Sequence, residues 1–255
     1  MNKNAEKPQN HSQKVSARLY VPHAQPGKEI TLTHEQVRHL KVLRLSEGEK
    51  IRIFNGTGAE FEVSYSEKVR NGRVVLDKTV QGRPEPTVKI TLAIAVPKGA
   101  RMDTLVEKVS ELGVVSIVPI ICSRSIVNPH EAKIERLRKI AIEASCQSQR
   151  SIVPTISDPI PFTELLQKSK EYNQTFLCHS TGYPLARTYT DSTSALIIVG
   201  PEGDFTPAEI DAAKEAGCVL VSLGPTILRT ETAGIAAVAQ LIGLRQAHAP
   251  PGKGL

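Results

Sequence analysis

A chain of 255 residues with 40% apolar content is long enough for one or two domains with buried cores, and with 4% aromatic residues and no tryptophan those cores must be aliphatic. A formal charge of +6 suits a polyanionic partner such as nucleic acid, but many ordinary enzymes are equally basic. No apolar run reaches membrane-spanning length, the N-terminus lacks a signal-peptide core, and Cys122, Cys146, Cys178 and Cys218 lie far apart without C-x-x-C or metal-ligand spacing. The expectation is a cytoplasmic protein with no membrane segment, no metal and reduced, buried thiols.

Residues 1–15 are polar and aperiodic and read as a disordered extension; 248–255 read as a similar tail. From 16 to 81 the pattern is mostly strands: 17–21, 50–54, 59–66 and 74–80, with Asn71-Gly72 as a hairpin signal between the last two. One helix, 33–42, follows a T-x-x-Q capping box at Thr33 and Gln36. A small β-barrel is the economical reading. The stretch 82–86 (GRPEP) reads as a linker. From 87 to 247 strands and helices alternate: strand 89–96, helix 102–112 closed by Gly113, strand 115–121, helix 131–147, then strands 175–179 and 195–199. Such alternation implies an α/β domain with a largely parallel, helix-covered sheet.

Two strand-loop-helix units near the C-terminus are the strongest local signals. In the first, LIIVGPEGDF (196–205) leads into a helix that Thr206 caps, with Pro207 at its first position, Glu209 completing a capping box and Gly217 ending it. In the second, VLVSLGPTILRTETA (219–233) leads into an Ala/Gly-rich helix, 231–245, whose Ala233, Gly234, Ala236 and Ala237 permit close packing. Open sheets bind ligands at the carboxyl ends of their strands, so both loops are expected to share one pocket. Neither fits the patterns that cradle nucleotide phosphates.

Basic residues gather in two places. Arg18, His34, Arg38, His39, Lys41 and Arg44 surround the short helix, as a phosphate-contacting surface or a solvated helix face. Lys98, Arg101, Arg124, Gln147 and Arg150 fall at loop ends of the α/β region; singly each reads as a surface or helix-end charge, together as a rim facing a polyanion. His179 has no nucleophile placed to pair with it and there is no G-x-S-x-G elbow, which argues against a hydrolase triad. Glu202 and Glu231 lie nearest the two loops, as a base, a ribose ligand or a helix N-terminal charge.

Five segments, PKGARMDTLVEKVSELGV (97–114), SRS (123–125), EASCQSQR (143–150), VGPEG (199–203) and LGPTILRTETA (223–233), together resemble, in order, the bacterial small-subunit ribosomal RNA methyltransferases that act on uridine N3, a branch of the SPOUT class. The resemblance spans about 16–246. It implies an N-terminal PUA-like β-barrel that binds RNA, a C-terminal α/β domain with a trefoil knot, and a homodimer with shared sites. It also implies S-adenosyl-L-methionine (SAM) as cofactor and 16S rRNA in the small ribosomal subunit as partner. Carried onto this chain, the cofactor contacts are Leu177, His179, Gly200, Pro201, Glu202, Gly203, Leu223, Gly224, Ile227, Leu228, Arg229, Thr230, Thr232 and Ala233. The catalytic candidates are Arg229 for a uridine anion and Glu202 or Glu231 for the N3 proton, and the RNA contacts are Arg18, Arg38, His39, Arg44, Lys98, Arg101, Arg124, Gln147 and Arg150.

Three positions depart from that pattern. Asp204 stands where the last glycine of G-P-E-G-G is common, Gln149 where S-G-R has glycine, and Ser180 where H-E has glutamate. Aspartate tolerates left-handed backbone better than most residues, so the turn at Asp204 is expected to persist, and activity with it. Other readings stay open: a SAM-binding RNA-binding assembly factor without this activity, a methyltransferase acting on another RNA, and an α/β enzyme acting on a small nucleotide.

Overall fold

The computed structural model describes residues 15–127 and 131–248, with side chains omitted at 131 and 132. The expected extension and tail fall almost wholly outside these residues. The chain forms two compact units that divide after Gly82, so residues 83–86 of the expected linker belong to the second unit.

In the first unit, strands β1 (Ala17–Tyr20), β3 (Lys50–Phe54), β4 (Glu60–Ser64) and β6 (Thr79–Val80) form a sheet in the order β1-β3-β4-β6, and β2 (Glu29–Thr31) pairs with β5 (Arg73–Val75) in a separate antiparallel ribbon. Alternation sends Ala17, Leu19, Ile51, Ile53, Phe61 and Val63 into one apolar core with Ile30 and Val74 from the ribbon. Helix α1 (His34–Val42) adds Leu40, and its start is the expected capping box, with Thr33 accepting from the Gln36 N–H and Gln36 accepting from the Thr33 N–H.

Two expectations for this unit are corrected. Asn71-Gly72 does not turn a hairpin. A short helix α2 (Glu67–Arg70), capped by Ser66, intervenes; Asn71 is its C-cap, and Gly72 follows at φ +85°. Asn-Gly suits a helix end as well as a tight hairpin turn, and Ser66 decides between them. The single strand expected over 74–80 is two strands, because β5 pairs with β2 and β6 with β4.

Arg18 is corrected too. On the other face of the sheet its guanidinium pairs with the buried Glu60 carboxylate and lies 4.9 Å over the Phe54 ring, inside the unit rather than on an open surface. Beside it Arg52 and Lys78 hold Glu62 at 3.3 and 2.6 Å, and the Lys78 ammonium is the main reason that carboxyl lies below its ordinary range.

The second unit is a parallel sheet in the order β10-β8-β7-β12-β11-β13, with β9 beside β8. Its strands are β7 (Lys89–Ala95), β8 (Ser116–Ile121), β9 (Thr155–Ile156), β10 (Ile160–Pro161), β11 (Gln174–Pro184), β12 (Ser194–Val199) and β13 (Val219–Ser222). Helices α3 (Arg101–Leu112), α4 (Glu131–Gln147), α6 (Leu185–Thr188) and α8 (Thr230–His248) cover one face; α5 (Phe162–Lys168) and α7 (Pro207–Glu215) cover the other. Successive residues of the central strands therefore enter opposite cores, Ile90, Leu92 and Ile94 one and Ala93 and Ala95 the other. Burial on both faces is why these strands read as continuous apolar runs.

Helix α8 lies close to α3 and β7 because Gly234 has no side chain: a Cβ there would meet Leu105 Cδ1 at 2.8 Å and Ile94 Cδ1 at 3.1 Å. Of the small residues expected to allow this, Ala233, Gly234 and Ala237 are buried and Ala236 is half-buried.

Arg150, expected on an RNA-facing rim, is 6% exposed. Its guanidinium binds the Glu85 carboxylate at 2.8 Å and the Ser110 and Val114 carbonyls at 2.7 and 3.0 Å, while Glu85 accepts from the Ser151 and Ile152 N–H groups. This network ties the start of the second unit to the segment after α4. The preceding residue, Gln149, takes φ +61° and accepts from the Arg83 guanidinium at 2.7 Å.

Candidate active site

Two loops that leave the carboxyl ends of β12 and β13, together with an irregular stretch within β11, surround a cleft of about 390 Å³, within the range of roughly 300–1,000 Å³ usual for small-molecule sites. The middle of β11, at its register break, supplies Cys178, His179 and Ser180; the β12 end Val199, Gly200, Pro201, Glu202 and Asp204; and the β13 end residues from Val221 to Ala233. The sheet opens here. The β11–β12 ladder stops at Cys178↔Val199, and the β11–β13 register shifts between Cys178 and Tyr183.

The loop after β12 is held from several sides. Gly200 packs under the Phe205 ring, where a Cβ would lie 2.7 Å from Cε2, and its carbonyl accepts from the Thr230 hydroxyl at 3.2 Å. Phe205 is itself 5.3 Å from the Phe162 ring. The Arg124 guanidinium donates to the Gly203 carbonyl at 2.9 Å and to that of Phe205 at 3.4 Å, so this expected RNA contact braces the loop. Glu209 forms the expected box with Thr206 and also accepts from the Ser123 N–H at 2.8 Å. Burial pushes the Glu209 carboxyl up, but the Thr206 and Ser123 donors outweigh it and the net shift is downward. Asp204 sits at φ +61°, in the left-handed conformation expected of it.

The catalytic candidates separate by position. Glu202 lines the cleft; one of its oxygens accepts from the Lys98 N–H at 3.2 Å and lies 3.5 Å from Arg101. Arg101 also lies 3.8 Å from Glu231, so another expected RNA contact instead spans the two carboxylates. Glu231 is outside the cleft lining; its side chain is 13% exposed and its Oε2 is buried with no hydrogen-bond partner among the described residues. Arg229 lines the cleft, exposed, and makes no ion pair among the described residues.

Of the cofactor contacts expected, His179, Gly200, Pro201, Glu202, Leu223, Gly224, Ile227, Leu228, Arg229, Thr230 and Ala233 line the cleft. Leu177 is fully buried, Gly203 backs onto Arg124 and Thr232 is exposed; none of the three lines it. Cys178, Ser180, Asp204 and Thr226, inside the cofactor loops that the resemblance implies (177–180, 200–204 and 223–233), line it too, whereas Val199, Val221 and Ser222 lie just before those loops and were not expected. Burial pushes the Cys178 thiol up to about 12, so it is a neutral part of the wall. Of the remaining candidates, Arg38, His39, Arg44, Lys98 and Gln147 are exposed. Among the described residues there is no metal-ligand cluster and no helix long and apolar enough to cross a membrane.

A helix-covered parallel sheet with a small-molecule cleft at its carboxyl edge, together with a separate β-rich module, defines a two-unit α/β protein. An RNA methyltransferase domain family matches residues 83–242, and an RNA methyltransferase PUA domain family matches 32–68. Ribosomal RNA small subunit methyltransferase E of Bacillus subtilis is 32% identical over 83% of this chain and 88% of its own length; the Synechocystis protein of that name is 32% identical over 84% and 73%. A crystal structure of the Neisseria gonorrhoeae protein of that name, bound to S-adenosyl methionine, has TM-score 0.81 and 34% identity over 89% of this chain and 97% of that one. The chain belongs to the RNA methyltransferase family.

Proposed function

We propose that this protein transfers a methyl group from SAM to N3 of a uridine in the 16S rRNA of the small ribosomal subunit, in the cytoplasm and as a homodimer. The observation that carries the reading is this cleft, whose volume and glycine-lined walls suit a cofactor held through main-chain groups. The C-terminal strands and α8 are, in this reading, the trefoil knot of the SPOUT class. The relatives named above carry the rRNA substrate in their names, and one is bound to the cofactor.

SAM supplies an electrophilic methyl group; the chain must position both reactants and manage one proton. Gly200, Pro201, Leu223 and Gly224 bring backbone to the cofactor. Uridine N3 lies on the pairing edge of the base and carries a proton, so the base must enter unpaired and the proton must leave. Arg229 stabilises the anion that forms. Glu202, which faces the cleft, accepts the proton directly or through water, while Arg101 and Glu231 set its position from behind. The exposed Arg38, His39, Arg44, Lys98 and Gln147 are the RNA contacts that remain in this reading.

The test is label transfer from SAM to small subunits that lack the modification, followed by nucleoside identification. N3-methyluridine in the product is the expected result; SAM binding without transfer favours the binding-only assembly factor. Arg229→Ala is expected to lower turnover about a hundredfold with cofactor affinity kept, by analogy with removal of one donor to a developing anion. Unchanged turnover would remove Arg229 from the mechanism. Sedimentation of the purified protein tests the dimer.

A further inference from the structure

The ladder between β11 and β12 ends at Cys178↔Val199, the last residue of β12, and both residues line the cleft. Beyond it one side-chain contact joins the two segments. His179 Nε2 lies 3.3 Å from Asp204 Oδ2, and the imidazole is 12% exposed. The proton can be placed from the neighbours: the Thr181 N–H donates to His179 Nδ1 at 3.2 Å and the Thr181 hydroxyl lies 2.8 Å from it, so Nδ1 is the acceptor and Nε2 carries the hydrogen. The second Asp204 oxygen accepts from the Phe205 N–H at 2.8 Å. Both ends of this contact are thus oriented before any ligand arrives, and both residues line the cleft.

We infer that His179 and Asp204 form a latch that replaces the missing ladder between the first two cofactor loops and holds the cleft in its ligand-ready shape. The effect on SAM rests on the function proposed above; the effect on the loop does not. An alternative for Asp204 is that it only tolerates φ +61°, and that alternative makes the opposite prediction for glycine. Glycine suits the turn better than aspartate but has no carboxylate.

The experiment compares Asp204→Gly, Asp204→Asn and His179→Ala in the intact protein by backbone hydrogen exchange without ligand and by SAM affinity. His179→Ala leaves the Phe205 hydrogen bond in place and so isolates the latch. Expected are at least fivefold faster exchange over 200–205 and about tenfold weaker SAM binding for Asp204→Gly and His179→Ala. Asp204→Asn has one oxygen for the two N–H groups that the carboxylate oxygens accept in the parent, so it is expected to fall between the parent and Asp204→Gly, and His179→Ala with Asp204→Gly together should be no worse than the poorer single variant. Parent-like exchange in His179→Ala and Asp204→Gly would overturn the latch. If the parent protein does not bind SAM, the function proposed above fails, while the exchange measurement still decides the latch.

Discussion

The two loops of the cleft are built in opposite ways. The loop after β12 is fastened by the Phe205 ring, the Arg124 guanidinium, the Thr230 hydroxyl and the Glu209 box, whereas the loop after β13 is fixed mainly near its ends. There Leu223 and Leu228 pack on the core and Gln240 donates to the Leu223 carbonyl at 2.9 Å, but Ile227 between them is 96% exposed. A fastened wall preorganises a binding site at little further entropic cost, and an open one leaves apolar surface available to a partner or substrate.

The comparison is most severely tested at Phe205. Phe205→Ala leaves a void beside Gly200 and Phe162, and is expected to cost about 3 kcal/mol in urea denaturation and to weaken ligand binding. Arg124→Ala removes the brace on two carbonyls at an exposed position, which should cost about 1 kcal/mol by the same measurement. If it instead affected only RNA binding, its assignment to the loop would be wrong.

Acid probes the Glu209 box. The folded pKa lies below the ordinary 4.5, so its contribution is fully present above that value and is lost as pH falls through the lowered one. Thermal unfolding from pH 6 down to 3 should therefore show a smaller loss of stability in Glu209→Gln than in the parent protein. Ile227→Ser on the open loop should change stability by less than about 0.5 kcal/mol. A larger loss in the free chain would mean that this loop is not open, whereas an effect confined to association or RNA binding would sharpen the contrast.

Much of the α/β unit was legible because its signals are local or strongly periodic. The helix expected over 131–147 ends at Gln147 as expected, and the Thr206 capping box appears with both of its hydrogen bonds. The first unit was less legible. Its short strands carry little periodic signal, and β2 and the division between β5 and β6 depend on partners distant in the chain. The partners of the cationic rim were not legible either, since sequence places a charge at a loop end but does not say what it meets within the chain. Arg150 meets Glu85, Arg101 meets Glu202 and Glu231, and Arg124 meets two carbonyls.

By itself the sequence determined which segments become strands buried on both faces, where the principal helices begin and which strand ends bear the cleft, because apolar period, capping residues and glycine act over a few neighbouring positions. Tertiary structure decided the partners of the charged side chains, the register shift within β11 where it pairs with β13, and the meeting of His179 with Asp204. Those outcomes join positions far apart in the chain, and their energies exist only once the sheet has brought the strand ends within hydrogen-bonding distance.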